Sequence, residues 1–314
     1  MNDFVLIFVV MVAGFTLGQL LFAWRPETSG RLRNLAVALA LRITVPLSIL
    51  LAIWNLKQLH WALVWLPLIG GAIMLAGFQL GLVVGRQLRM SGAELAVYGP
   101  GGGFVNLGAL GSLTLFVYLG EPGLALLPLY KLFEELIYFG LLFPYARRHG
   151  QFPVDTPSRV WRDPVLLAVV GCWLCGMLLN LGGISRPAWM GSITSLLVPL
   201  SSFLLMISVG LVFRFRALLP ELGRALPLAL LRVILLPALG LGLVWLLGLQ
   251  TFGDGLLAAS VLILASMPAA VLTIVPASLY GLNQGLANAC WLLSNLVFLC
   301  WLPWVPSLLS WIRP

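Results

Sequence analysis

Lys131, Glu134 and Glu135 lie together in one apolar stretch of the sequence, Arg42 and Arg232 in two others, and Asn106 in a fourth that is rich in glycine. An ionisable side chain at the centre of a membrane helix costs about 2.5–3.5 kcal/mol even on the mildest scale, so in apolar surroundings each one needs a reason. On a helix the i, i+3 and i+4 spacing lets Lys131 meet either carboxylate. That pair alone is a self-neutralising lock on helix packing. One acid is left over, and a spare carboxyl in a low-dielectric site can take up and release a proton, which makes Glu134 or Glu135 the candidate for proton coupling. Arg232 either compensates the charge of a bound solute or bonds carbonyls freed by a helix break, and Arg42 can snorkel toward the surface. The Asn106 carboxamide can donate to a carboxylate or accept from an uncharged ligand without carrying charge, and it can also cap exposed backbone. Asn288 and Asn295 either line the same cavity or pin neighbouring helices.

The elements that hold these residues follow from composition. Of 314 residues 61% are hydrophobic and 9% charged, against roughly a quarter charged in a soluble domain. Such a chain cannot build a water-facing exterior, and lipid is its expected solvent. A membrane helix takes about 20 mostly apolar residues. Division at charged, Gly and Pro breaks gives segments at 4–24, 35–54, 62–84, 95–119 and 124–145, a polar stretch 146–163, then 164–181, 193–213, 225–249, 256–280 and 286–308. The expectation is an all-α integral membrane protein of ten transmembrane helices, one membrane unit over 1–314 without a soluble domain. The first run follows Asp3 and is too long for a signal core, so it reads as a retained helix.

The net charge of +8 does not point to nucleic acid, because the basic residues sit in short inter-helix breaks and form no single patch. They report orientation instead. Arg25, Arg31, Arg33, Arg86, Arg89, Arg147, Arg148, Arg159, Arg162, Arg214, Arg216 and Arg224 fall on one side, and Lys57, Arg186 and Arg313 on the other. By the positive-inside rule that puts both termini outside and the 146–163 loop in the cytoplasm. Each half, having an odd number of helices, is then inserted upside down relative to the other. The C-x-x-C pair Cys172 and Cys175 has no second pair and no histidine nearby, so these cysteines, with Cys290 and Cys300, read as small buried apolar residues and not as a metal site.

Internal similarity supports the halves, with repeat one at 1–145 and repeat two at 164–314. Val45-Pro46-Leu47-Ser48 recurs as Val198-Pro199-Leu200-Ser201, and Gly120-Glu121-Pro122-Gly123-Leu124-Ala125 resembles Gly281-Leu282-Asn283-Gln284-Gly285-Leu286-Ala287 with one insertion. Inverted repeats are a common plan of secondary transporters, which bind solute near the midplane at broken helices from both halves. The fourth segment carries Gly99-Pro100-Gly101-Gly102-Gly103, and the ninth carries Pro268 and Pro276. Both are expected to break. Gly and Pro are also frequent in membrane helices for packing and harmless kinks, which is the plainer explanation of any one of them.

With these residues in view, the sequence resembles the auxin efflux carrier family, which includes the plant auxin exporters and many bacterial relatives. The family's Asn-x-Gly-x-x-Gly-x-Pro pattern is matched by Asn106, Gly108 and Gly111, and its Met-Pro-x-Ala by Met267-Pro268-Ala269-Ala270 with a following turn like Ala277 to Gly281. Arg232 with Pro237 also fits. The final proline of the first pattern is replaced by Leu113. The resemblance implies a five-plus-five inverted repeat with broken, crossing fourth and ninth helices, and scaffold helices in 1–54 and 164–213. It places transport-domain helices in 62–145 and 225–308, with elevator-like motion and a homodimer joined through the scaffolds. The substrate-binding residues it points to are Asn106, Gly108, Gly111, Pro268, Ala269 and Arg232.

The expected function is secondary transport of a small organic anion, a carboxylate, across the cell membrane by alternating access, with proton coupling through Lys131, Glu134 and Glu135. The alternatives are a sodium-coupled carrier of the bile-acid symporter type and a non-transporting membrane sensor or scaffold. No enzyme is expected, since the sequence lacks a P-loop, a paired-Asp motif and a His cluster, having only His60 and His149. No cofactor or metal is expected, and the partners are a small-molecule solute and the lipid bilayer.

Overall fold

The computed structural model describes residues 3–55, 61–150, 164–213 and 218–313. Among them the chain is helical, with a single antiparallel bridge, Val105 to Ala269. In chain order the helices are α1 (Asp3–Trp24), α2 (Pro26–Trp54), α3 (Ala62–Gln87), α4 (Gly92–Gly103), α5 (Leu107–Tyr130), α6 (134–148) and α7 (Pro164–Leu181). They continue with α8 (Met190–Gly210), α9 (Leu219–Leu246), α10 (Leu256–Ala265), α11 (Val271–Tyr280) and α12 (Gln284–Ile312). Seven of these, α1, α2, α3, α5, α8, α9 and α12, are long and apolar enough to cross a membrane. Lys57, His60, Arg159, Arg162, Arg214 and Arg216 lie outside the described residues, as does the loop from 151 to 163.

The predicted segment 95–119 is interrupted between α4 and α5 at Phe104, Val105 and Asn106, and 256–280 between α10 and α11 at 266–270. The position of the first break corrects one expectation. Gly99 to Gly103 remain helical, and they serve packing: a Cβ on Gly102 would strike the Gly77 carbonyl, and one on Gly99 would come 2.5 Å from Leu82 of α3. In the second break only Pro268 sits in the gap. Pro276 lies at the start of the α-helical part of α11, where its missing N–H has no intrahelical partner to lose.

Three π turns, Ala40–Thr44, Tyr138–Leu142 and Leu231–Leu235, each end two residues before a proline: Pro46, Pro144 and Pro237. A proline inside a helix lacks its N–H and crowds the carbonyl four residues back, and a local π turn relieves both. A fourth π turn, Leu107–Gly111, has Leu113 at the equivalent position. The geometry therefore persists where the family's proline is absent. Ser112 Oγ donates to the Gly108 carbonyl at 2.6 Å, and Ser202 Oγ to that of Ala109 at 2.6 Å.

The chain forms two compact units. The first comprises 1–63, 108–128 and 159–213. Here α1 and α8 approach closely at Gly18 and Gly210, where Gln19 Nε2 donates to the Gly210 and Phe213 carbonyls. Helices α2 and α7 meet at Gly176, and Asn180 Nδ2 donates to the Ile53 and Trp54 carbonyls at 3.2 and 3.0 Å. Helix α5 kinks at Gly120 (φ 65°), and the adjacent Glu121 accepts from Arg186 at 2.6 Å and from Asn55 at 2.8 Å.

The second unit comprises 64–107, 129–158 and 214–314. Its α3 packs on α4 through Gly77 and Gly81, and a Cβ on Gly70 would strike the Tyr130 carbonyl. Cys290 is buried, but Cys175 and Cys300 are exposed and Cys172 is half-buried, so the reading of all four as buried holds for Cys290 alone.

Candidate functional site

In the second unit the two breaks lie against each other and supply each other's backbone hydrogen bonds. Asn106 N–H donates to the Pro268 carbonyl at 3.0 Å, and Ala270 N–H to the Phe104 carbonyl at 3.1 Å. The two residues between, Val105 and Ala269, turn their own N–H groups outward from this pair. Val105 N–H donates to the Tyr138 hydroxyl of α6 at 2.6 Å, and Ala269 N–H to Ser294 Oγ of α12 at 3.0 Å. Non-helical backbone at membrane depth is tolerated only where its polar groups find such partners.

Arg232 of α9 serves the carbonyls at both helix ends. It is fully buried, and it donates to the Met267 carbonyl through Nε at 3.1 Å and Nη2 at 2.8 Å, and to the Gly102 carbonyl through Nη1. Helix C-termini leave carbonyls without intrahelical partners and carry partial negative charge, so a guanidinium between two of them is both bonded and electrostatically matched. Of the two readings open for Arg232, this geometry matches the bond to freed carbonyls.

Asn106, Pro268, Ala269 and Arg232 are thus brought together. The Asn106 side chain is 7% exposed, and its Nδ2 is buried with no hydrogen-bond partner. Thr273 Oγ1 and Asn295 Oδ1 are likewise buried without partners, although Asn295 Nδ2 donates to the Trp291 carbonyl at 2.7 Å. Gly108 and Gly111 follow Asn106 in the chain but belong to the first unit, and a Cβ on Gly108 would meet nothing within 4 Å. Lys131 Nζ pairs with Glu134 at 2.7 Å, and Glu134 is buried. The Glu135 side chain lies outside the described residues. Arg42 is exposed, in keeping with snorkelling.

A family profile described as "Membrane transport protein" matches residues 159–306. Those residues, a little under half of the chain, are similar to that family. The match includes Arg232 and Met267-Pro268, two of the features that carry the resemblance to auxin efflux carriers, and with the long apolar helices it makes the chain a multi-pass membrane protein. An uncharacterized transporter of Methanothermobacter thermautotrophicus (strain Delta H) is 27% identical over 199 residues, which are 63% of this chain and 63% of the relative. The chain thus aligns with less than two thirds of that relative's length.

Tyr138 and Ser294, whose hydroxyls receive the N–H groups of the two breaks, are positions that the sequence reading missed. Tyr138 stands four residues after Glu134, a spacing that puts both on one helix face and was a readable signal. Ser294 had no such signal, since a lone serine in an apolar helix usually bonds its own helix, as this one also does to the Trp291 carbonyl at 3.0 Å. Outside the apolar segments, the start of α4 is fixed by a capping box of Ser91 and Glu94. Arg224 pairs with Glu94 at 2.6 Å and with Glu221 at 3.0 Å, and Asn283 Nδ2 donates to Glu221 at 2.8 Å. The hydrogen bond from Arg224 holds the Glu94 carboxyl down at about 2.

Proposed function

We propose that the protein is a secondary carrier for a small organic anion, with the carboxylate of the solute received at Asn106. The observation that carries this reading is the buried, unpartnered Nδ2 of Asn106 beside two broken helices. A donor left permanently unpaired costs roughly 1–3 kcal/mol, and a bound acceptor removes that penalty. A neutral amide suits a cycle in which the solute must leave again, because it contributes a hydrogen bond without the attraction of a full charge. Arg232 contributes through its field while its donors stay on the Met267 and Gly102 carbonyls. Pro268 and Ala269 form the segment that faces Asn106.

The architecture we infer is ten membrane helices as a five-plus-five inverted repeat, with α4/α5 and α10/α11 as the corresponding broken helices. Support comes from matched details in the two halves. Each bridging residue, Val105 or Ala269, has its N–H received by a hydroxyl from the last helix of its own half. The aligned Gly120 and Gly281 both take positive φ, 65° and 67°. His149 lies beside Gly92 at the start of α4, and Arg313 Nε donates to the Asp254 carbonyl at the start of α10 at 3.0 Å. In this reading the second unit carries solute in an elevator-like motion and the first is the scaffold. Glu134, paired with Lys131, exchanges the coupling proton. A homodimer in the cell membrane with both termini outside completes the proposal.

Uptake of a labelled organic-acid panel into proteoliposomes under an imposed pH gradient tests it. The expected outcome is saturable flux of one acid that responds to the gradient and loses that response in Glu134→Gln. Absence of flux for every acid would overturn the carrier reading.

A further inference from the structure

The place where the two breaks meet is built like a cation site. The Gly102 carbonyl belongs to the last turn of α4, and the Met267 carbonyl lies just beyond the end of α10. Half-helix C-termini and carbonyls of unwound backbone are the groups with which membrane carriers hold a coupling cation. Each helix C-terminus carries roughly half a negative charge, so two of them together match about one positive charge. Here the chain itself supplies that charge. Arg232 is fully buried, puts two N–H groups on the Met267 carbonyl and one on that of Gly102, and approaches the Gly101 carbonyl at 3.5 Å. Among the described residues no carboxylate pairs with it. A carbonyl oxygen has two lone pairs, and both of those on Met267 are engaged by the one guanidinium.

We propose that Arg232 is a resident cation, whose guanidinium fills the place a sodium ion would take at these carbonyls and so makes solute movement independent of sodium. A coupling ion must bind and leave in every cycle. An arginine keeps its charge at physiological pH and is tethered to α9, so this positive charge does neither. A sodium ion arriving at the Met267 and Gly102 carbonyls would meet a fixed charge of its own sign and oxygens already bonded. The carbonyls that a sodium-coupled carrier would use for its ion therefore serve in this chain to hold two half-helices together around one side chain. Truncation of Arg232 should uncover a cage whose carbonyls select a planar cation rich in N–H donors over a cation of equal charge that has none.

The inference rests on the carrier reading only for its consequence in transport, and separate measurements address the two. The melting temperature of the full-length wild-type protein in detergent should not change when sodium chloride is exchanged for choline chloride at constant ionic strength. Arg232→Ala should melt lower, and millimolar methylguanidinium should restore most of the loss in a saturable way, while tetramethylammonium, which has the charge but no N–H, restores none. Stabilisation of the wild type by sodium, equal rescue by the two organic cations, or rescue by neither overturns the proposal whether or not any solute is carried. In proteoliposomes the wild type should take up solute at the same rate in sodium as in choline. A sodium-dependent rate overturns the resident cation and leaves the carrier reading standing. Absence of flux for every acid removes the carrier reading and leaves the melting data to decide. If Arg232→Ala does not fold, Arg232→Lys takes its place: it keeps the charge, and its melting temperature should be as indifferent to sodium as that of the wild type, whereas stabilisation by sodium overturns the proposal.

Discussion

The break between α4 and α5 and the break between α10 and α11 solve one problem with different chemistry. Each exposes a short extended segment, each lends the other two backbone hydrogen bonds, and each hands one further N–H to a hydroxyl. The first hydroxyl is the phenol of Tyr138, which also lies 3.2 Å from the Val105 carbonyl, whereas the second is a serine that gives its proton to the Trp291 carbonyl of its own helix. The shared part pairs the backbone groups that the breaks free. The unshared part ties the first break to an aromatic ring of α6 and the second to a small side chain of α12.

The comparison breaks most completely at Arg232, a side chain bonded to carbonyls of both half-helices. Arg232→Met leaves the buried Met267 and Gly102 carbonyls unpaired, at roughly 1–3 kcal/mol each. The melting temperature in detergent should fall sharply and uptake should cease. Arg232→Lys should recover only part of the stability, because an ammonium cannot supply the guanidinium's planar fork. A melting temperature unchanged in Arg232→Met would contradict the bonding described.

A smaller effect is expected at Ser294. Ser294→Ala removes the acceptor of the Ala269 N–H, a loss of roughly 1–3 kcal/mol, and should lower the melting temperature while leaving the pH profile of transport unchanged. Tyr138→Phe removes the acceptor of the Val105 N–H and should lower stability similarly. An unchanged melting temperature in either variant would contradict the bonding described.

The starts of the two half-helices differ as well. The α4 start carries the Ser91–Glu94 box held by Arg224, while α10 starts at Gly255 with positive φ and no side-chain cap. Because the folded Glu94 carboxyl is depressed from 4.5 to about 2, its contribution is fully present above pH 4.5 and is lost as pH falls toward 2. Melting curves of Glu94→Gln across that range should be flatter than those of wild type, most of this carboxyl's contribution being screened by solvent.

The smallest effect should come from Leu113→Pro. The π turn at Leu107–Gly111 is already formed, and the Ala109 carbonyl that residue 113 would otherwise bond accepts from Ser202 Oγ at 2.6 Å. Proline in an ordinary helix interior costs about 3 kcal/mol; here the melting temperature should stay near wild type. A large loss would mean that the Leu113 N–H is needed.

Much of this architecture was legible in the sequence because membrane helices announce themselves by length and apolarity. The segments 4–24, 62–84 and 164–181 lie close to α1, α3 and α7. The breaks were legible in position only roughly. Pro268 marks one, but Gly99 to Gly103 stay helical because the same glycines that weaken a helix also let α3 approach it. Spacing allowed Lys131 to meet either Glu134 or Glu135, and the structure shows the pair with Glu134. The bonds from Arg232 to Met267 and Gly102, and those of Tyr138 and Ser294, depend on contacts across 25 to 130 positions of sequence, which no local pattern encodes.

The most direct test is solute counterflow in proteoliposomes with Asn106→Ala, together with its melting temperature. The predicted result is loss of saturable exchange with stability equal to or above wild type, since the substitution removes a buried donor that has no partner in the protein. Exchange that survives with an unchanged KM would contradict the assignment of Asn106 as the group that receives the solute.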